Sequence, residues 1–240
     1  MTTGMKKTDD NSERGEQVSR TQQLVEVSVF LFLIVPSMVL SLFVVKQGGL
    51  SFVLVAISTI LRDLALVSLI LLFLWRNGEP IGRIGWTYKN GWKDVILGIL
   101  LFIPIFLGAG LLESAFRAAG LSAPSTPLPS FLAAKGYSEF VLAFVLVVVV
   151  ALAEETIFRG YLMLRLRNVT QSIPAAIILS AVIFSLGHGY EGSAGIATVG
   201  LMGVALAVVY VWRRSLVAPI VMHFLQDFIG IVLLPLLGIT

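Results

Sequence analysis

Polar side chains are missing from long stretches of this chain and crowd into the gaps between them. Leu24 to Val45, Leu50 to Trp75, Asp94 to about Gly120, and Tyr137 to about Arg167 each read as an apolar helix. So do Ala175 to His188, Ser193 to Trp212, and Leu216 to about Leu237. At 1.5 Å rise per residue, about 20 residues cross a hydrocarbon core about 30 Å thick. The pattern therefore predicts an all-α, polytopic membrane bundle of seven or eight transmembrane helices, forming a single membrane domain over residues 24–240. Pro36 and Pro104 lie inside predicted helices, and Pro36 marks an expected kink. Pro174 is placed to open the fifth helix. In the sixth, Ser193, Ala197, Gly200, Gly203 and Ala207 recur at steps of three and four, a stripe suited to close helix contact.

Between the helices the chain turns polar. Residues 1–23 are mixed in charge (Lys6, Lys7, Asp9, Asp10, Glu13, Arg14, Glu16, Arg20) and read as a disordered cytoplasmic tail. They are too acidic and polar for a signal peptide. Lys46-Gln-Gly-Gly is a short turn, and residues 124–129 form a proline-rich loop with Pro124, Pro127 and Pro129. Trp86 and Trp92, in the basic loop 76–93, suit a membrane interface.

Composition strengthens the membrane reading. The chain of 240 residues is 57% hydrophobic and 13% charged, where soluble domains carry about 25% charged residues. Its net charge of +3 is a topology signal, and no nucleic-acid partner is expected. Lys and Arg gather in the tail and near 76–93, 159–167 and 213–214. The connections near 46–49 and 189–193 and the C-terminus are poor in them, and 120–137 has only Lys135. The positive-inside rule then puts the N-terminus in the cytoplasm and the C-terminus outside, in a multi-pass protein of the cell membrane. The chain has no cysteine, which excludes disulfides, thiolate nucleophiles and Cys-ligated metal.

Against this background the ionisable groups inside helices stand out. Glu154 and Glu155 end the run Phe140 to Leu152, which has no polar side chain. Charges buried this way are costly unless matched or used. Arg159 follows Glu155 by four positions, so the two share a helix face and can pair. Glu154 points about 100° away. Without that partner, it has the surroundings of a general base. The plainer alternative is an ion cluster capping a membrane helix. Arg62-Asp63 in the second span reads as a structural contact between helices, and Glu113–Arg117 as a local ion pair.

Two histidines complete the set. His188 follows Phe184 by four residues, and His223 precedes Asp227 by four. Three helices thus carry ionisable groups that need partners away from water, which points to a shared polar site. If the fourth and fifth helices turn near Gln171, Glu154 and His188 lie level, about 25 Å from the turn. His223 lies nearer its own basic end, so the site closes only if the four–five hairpin projects about 10 Å into the cytoplasm. Three chemistries could use these groups. They are peptide hydrolysis by activated water, a metal site with zinc as the candidate, and a proton-coupled carrier or receptor. No Ser or Cys stands in a nucleophile motif, and the His-Glu-x-x-His zinc signature is absent.

Glu-Glu-x-x-x-Arg (154, 155, 159), Phe-x-x-x-His (184, 188) and His-x-x-x-Asp (223, 227) together resemble the three ordered motifs of the CAAX protease and bacteriocin-processing (CPBP) family. That family includes the type II CAAX prenyl endopeptidases. The resemblance covers about residues 137–230, which would hold the catalytic helices. It implies a glutamate-dependent intramembrane endopeptidase with no cofactor. Its substrate would be a membrane-associated peptide or protein, prenylated or otherwise hydrophobic. On this pattern Glu154 and His188 activate water, His223 and Asp227 serve the oxyanion, and Glu155 and Arg159 brace the site. The prenyl-protein proteases carry Asn where this chain has Asp227. An ionised Asp cannot donate a hydrogen bond, so Asp227 is either protonated or, the favoured reading, orients and charges His223, which then donates. The alternative function is a non-catalytic membrane scaffold or bacteriocin self-immunity protein.

Overall fold

The computed structural model describes residues 18–44, 51–88, 90–123 and 129–239. Seven long helices account for most of them: α1 (Arg20–Val44), α2 (Phe52–Arg76), α3 (Gly91–Ala118), α4 (Gly136–Thr170), α5 (Ile173–Leu186), α6 (Gly192–Arg213) and α7 (Val217–Leu236). No strand occurs among the described residues. Five helices, α2, α3, α4, α6 and α7, are long and apolar enough to cross a membrane, and the protein is a multi-pass membrane protein. The other two of the expected seven are α1 and the shorter apolar α5 of 14 residues. At about 21 Å, α5 is shorter than the hydrocarbon core.

Local sequence explains most boundaries. Ser51 caps α2 through its side chain at Leu54 N, and Ser172 caps α5 at Ala175 N, with Pro174 in the first turn. Helix α1 begins at Arg20, four residues before the apolar run, so the end of the expected tail is helical. Its first 17 residues, the Lys46-Gln-Gly-Gly turn, Pro124 and Pro127 lie outside the described residues.

The core gathers around Tyr161 of α4, whose ring lies 5.6 Å from Phe30 of α1 and 6.2 Å from Phe73 of α2. Beside it runs a buried ionic network. Arg165 bonds Glu79 through both ends of its guanidinium and lies 3.1 Å from Glu26. Glu26 also takes Arg76 at 2.9 Å, Asn77 at 2.7 Å and the Tyr161 hydroxyl at 3.1 Å. In the sequence Arg165 is one more basic residue near a loop, yet it is wholly buried. On α6, the small-residue stripe does meet a neighbour: a Cβ on Gly203 would come within 3.2 Å of Ala181 on α5.

Two segments of π-helix interrupt the long helices, Glu155–Leu162 in α4 and Phe228–Leu233 in α7. The first begins at the central carboxylate, where wider i→i+5 turns are often found at functional sites. All eight of its residues are buried. Gly160 permits the close approach of the 3-10 turn Ile81–Ile84, since a Cβ there would sit 2.8 Å from the Ile84 carbonyl oxygen. Trp86, expected at the interface, instead turns inward. Its half-buried indole N–H donates to Thr156 Oγ1 at 3.1 Å, as an indole donor away from water needs an acceptor.

Candidate active site

Helices α2, α4, α5 and α7 each bring a polar or aromatic side chain to one place. Glu155 is fully buried, and its Oε1 accepts from Arg159 Nη1 at 2.8 Å and lies 2.8 Å from His223 Nδ1. An ionised carboxylate only accepts, so the imidazole donates through Nδ1. That fixes the ring and turns Nε2 toward Asp227 Oδ2 at 3.4 Å and Glu154 Oε2 at 3.8 Å. Asp227 therefore does face the imidazole one turn away. The closer carboxylate on that ring is Glu155, which spacing along the sequence could not show.

Glu154 has a different setting. Its Oε2 is buried and has no hydrogen-bond partner among the described residues. Arg62 Nη2 lies 4.0 Å from its Oε1, and Arg62 is bound to Asp63 at 2.8–2.9 Å. Arg62, Asp63, Glu154, Ile34, Leu66 and Phe158 help to line a cavity of about 20 Å³. A water needs roughly 10–15 Å³ of such space and two or more polar partners, so this cavity has room for about one. Arg62-Asp63 is thus part of the site as well as a contact between helices.

The Phe184 ring stands at the junction. The Arg159 guanidinium lies 4.2 Å from its centroid, His188 4.9 Å, Phe158 5.1 Å and His223 6.0 Å. His188 itself follows the end of α5, half-buried, with Nδ1 3.3 Å from the Phe184 carbonyl. It makes no hydrogen bond or ion pair with Glu154. The hairpin register gives the reason. Ser180 Oγ donates to the Phe158 carbonyl at 2.9 Å, so the hairpin midpoint falls near Val169 rather than Gln171. Glu154 then stands opposite Phe184, with His188 about one turn beyond.

The expected offset between helices is present. Glu155 lies fifteen residues before the end of α4, His223 six residues after the start of α7, and the two touch. The α4–α5 hairpin therefore extends about 14 Å past the beginning of α7. Among the described residues, no three His, Asp or Glu side chains converge as a group that could hold a metal ion.

Fold and site together define a class: a polytopic helical membrane protein in which one carboxylate both lines a small cavity and lies 3.8 Å from a braced imidazole. Residues 136–229 match the family model described as type II CAAX prenyl endopeptidase Rce1-like. The resemblance to the CPBP family carried by the three motifs is thus shown over that segment, and the matched family is one of membrane proteases. No curated protein and no solved structure matches the chain.

Proposed function

We propose that this protein is an intramembrane endopeptidase of the glutamic type. It hydrolyses a peptide bond of a membrane-associated substrate, prenylated or otherwise hydrophobic, with water activated at Glu154. The observation that carries the reading is Glu154, which lines a cavity with room for about one water and whose unpartnered Oε2 lies 3.8 Å from His223 Nε2. In the proposed step Glu154 takes a proton as the water oxygen attacks the carbonyl carbon. The oxyanion that forms accepts from His223 Nε2–H, held by Glu155 on one ring nitrogen and faced by Asp227 on the other. Glu154 then returns its proton to the leaving amine. The family pattern assigns His188 to the same water. Catalytic contacts often tighten only when substrate is bound, so His188 would close in as the substrate enters along the Phe184 ring.

The remaining expectations fit around this step. The basic loops place the N-terminus in the cytoplasm by the positive-inside rule, with the site opening toward the cytoplasmic side of the cell membrane. The chemistry uses side chains and water, without a cofactor. A second reading, a non-catalytic scaffold or self-immunity protein, draws on the fully buried Glu155–Arg159 pair, which serves structure equally well.

The test compares protein termini in membranes of cells carrying the wild type, Glu154→Ala or His188→Ala. Accumulation of the same longer precursor in both variants, with equal protein levels, supports the enzyme. Unchanged termini with an unchanged cellular phenotype favour the scaffold. Inactivation by a chelator with rescue by zinc would point to a metal enzyme.

A further inference from the structure

At the basic end of the bundle, a second cavity of about 310 Å³ lies where α4, α5, the Ile81–Ile84 turn and the end of α6 meet. Its volume is at the small-molecule scale, which begins near 300 Å³. Arg83, Arg167 and Arg214 line it together with Tyr210, and Leu164 and Ile173 contribute apolar wall. No carboxylate is among the described residues that line it.

The three guanidiniums differ in their commitments. Arg83 is bound to Glu79 at 2.8 Å. Arg167 and Arg214 have no ion-pair partner among the described residues. The neighbouring acids are already taken, Asp94 by Arg213 and Glu79 by Arg165 and Arg83. The backbone at Arg214 is held in place, and all three arginine side chains are exposed. Arg214 adopts φ +53° at the end of α6, and its carbonyl accepts from Thr87 Oγ1, while Leu216 N donates to the Gly85 carbonyl. Gly85, at φ +90°, could not carry a side chain, because a Cβ would sit 2.5 Å from the Tyr210 ring.

We infer that this cavity binds the phosphate of an anionic phospholipid headgroup. Two unpaired guanidiniums and a third partly engaged one suit a phosphate, which accepts bidentate hydrogen bonds from arginine. The apolar wall and the position at the ends of membrane-spanning helices favour a lipid over free phosphate, since a glycerol backbone and the first acyl carbons would cover Leu164 and Ile173. Bound there, the lipid would touch the projecting part of α4, the helix that carries Glu154. The inference stands apart from the proteolytic reading and is read out without any cleavage.

The experiment measures binding to the purified full-length protein in neutral detergent. The probes are dihexanoyl-phosphatidylglycerol, dihexanoyl-phosphatidylcholine and inorganic phosphate, followed by thermal shift and by displacement of a fluorescent phosphatidylglycerol. The wild type is expected to bind phosphatidylglycerol at least about tenfold more tightly than either other probe. The double variant Arg167→Gln/Arg214→Gln is expected to lose about tenfold or more. Arg117→Gln/Lys135→Gln, which removes the same charge at the other end of the bundle, is expected to bind normally. Equal binding of phosphatidylcholine, or unchanged binding by the Arg167/Arg214 variant, would overturn the inference. Inorganic phosphate binding as tightly as the lipid would overturn the lipid assignment in favour of a free anion. Should the double variant melt below the wild type, the headgroup comparison on the wild type alone decides.

Discussion

Glu155 holds Arg159 and His223 on a single oxygen, while Glu154 lines the small cavity. On the proposed mechanism the adjacent carboxylates divide into one that braces and one that acts. Removing the brace has a structural cost. Arg159→Ala would break a buried ion pair and leave Glu155 with His223 as its remaining charged partner, a loss of up to about 3–5 kcal/mol, seen as a lowered melting temperature in detergent. Asp227 can be tested by replacement with its family alternative. Asp227→Asn keeps size and adds a donor, so kcat/KM should stay within about tenfold, while Asp227→Ala should lose about 100-fold. Glu79, outside the spans, gives a pH signature. Burial works to raise its carboxyl, but the Arg165 hydrogen bond and charge, with Arg83 and Asn77, outweigh this and hold its pKa below 4.5. The stabilisation is full above 4.5, the ordinary value, and is lost as pH falls through the lower folded-state pKa. Melting temperature scanned from pH 7 to pH 3 should drop at the acid end, with a shallower drop in Glu79→Gln.

At the scale of the element, the π segment of α4 is what the amino-acid pattern did not announce. Apolar runs give the length and rough ends of helices, so α2, α4, α6 and α7 begin within a few residues of expectation. They do not report how the ladder of hydrogen bonds widens, nor how two helices are set in register. That is why Trp86 was expected at the interface and His188 level with Glu154, when a tertiary contact at Thr156 and another at Phe158 decide both. Motif spacing did carry local pairs faithfully. Glu155–Arg159, Glu113–Arg117 and His223–Asp227 are each one turn apart and in contact. Contacts between distant positions, such as Glu155 with His223 or Arg165 with Glu26, need the fold. The π segment also makes a prediction. Gly160→Ala places a methyl against the Ile84 carbonyl, and overpacking of this kind costs about 1–3 kcal/mol. The expected result is a lower melting temperature together with reduced activity, since the strained turn adjoins Glu155.

For the whole molecule, the charge distribution supports the proposed orientation, with the N-terminus in the cytoplasm. Because the chain has no cysteine, single introduced cysteines report topology without background. Gln171→Cys at the tip of the α4–α5 hairpin should react with an impermeant maleimide only from the cytoplasmic side, and Ser122→Cys only from the other. On that proposed orientation the arginine-lined cavity would face the cytoplasmic headgroups, and the Glu154 cavity would lie deeper, about 24 Å along α4 from its end.

The account rests on water being activated at Glu154. Its most direct test is single-turnover hydrolysis of a membrane-anchored fluorogenic peptide by purified protein in proteoliposomes, wild type against Glu154→Gln, a change of nearly equal size that removes the base. The rate constant should fall by 100-fold or more, on the order expected for loss of a general base, with the melting temperature unchanged. Hydrolysis by Glu154→Gln at the wild-type rate would contradict it.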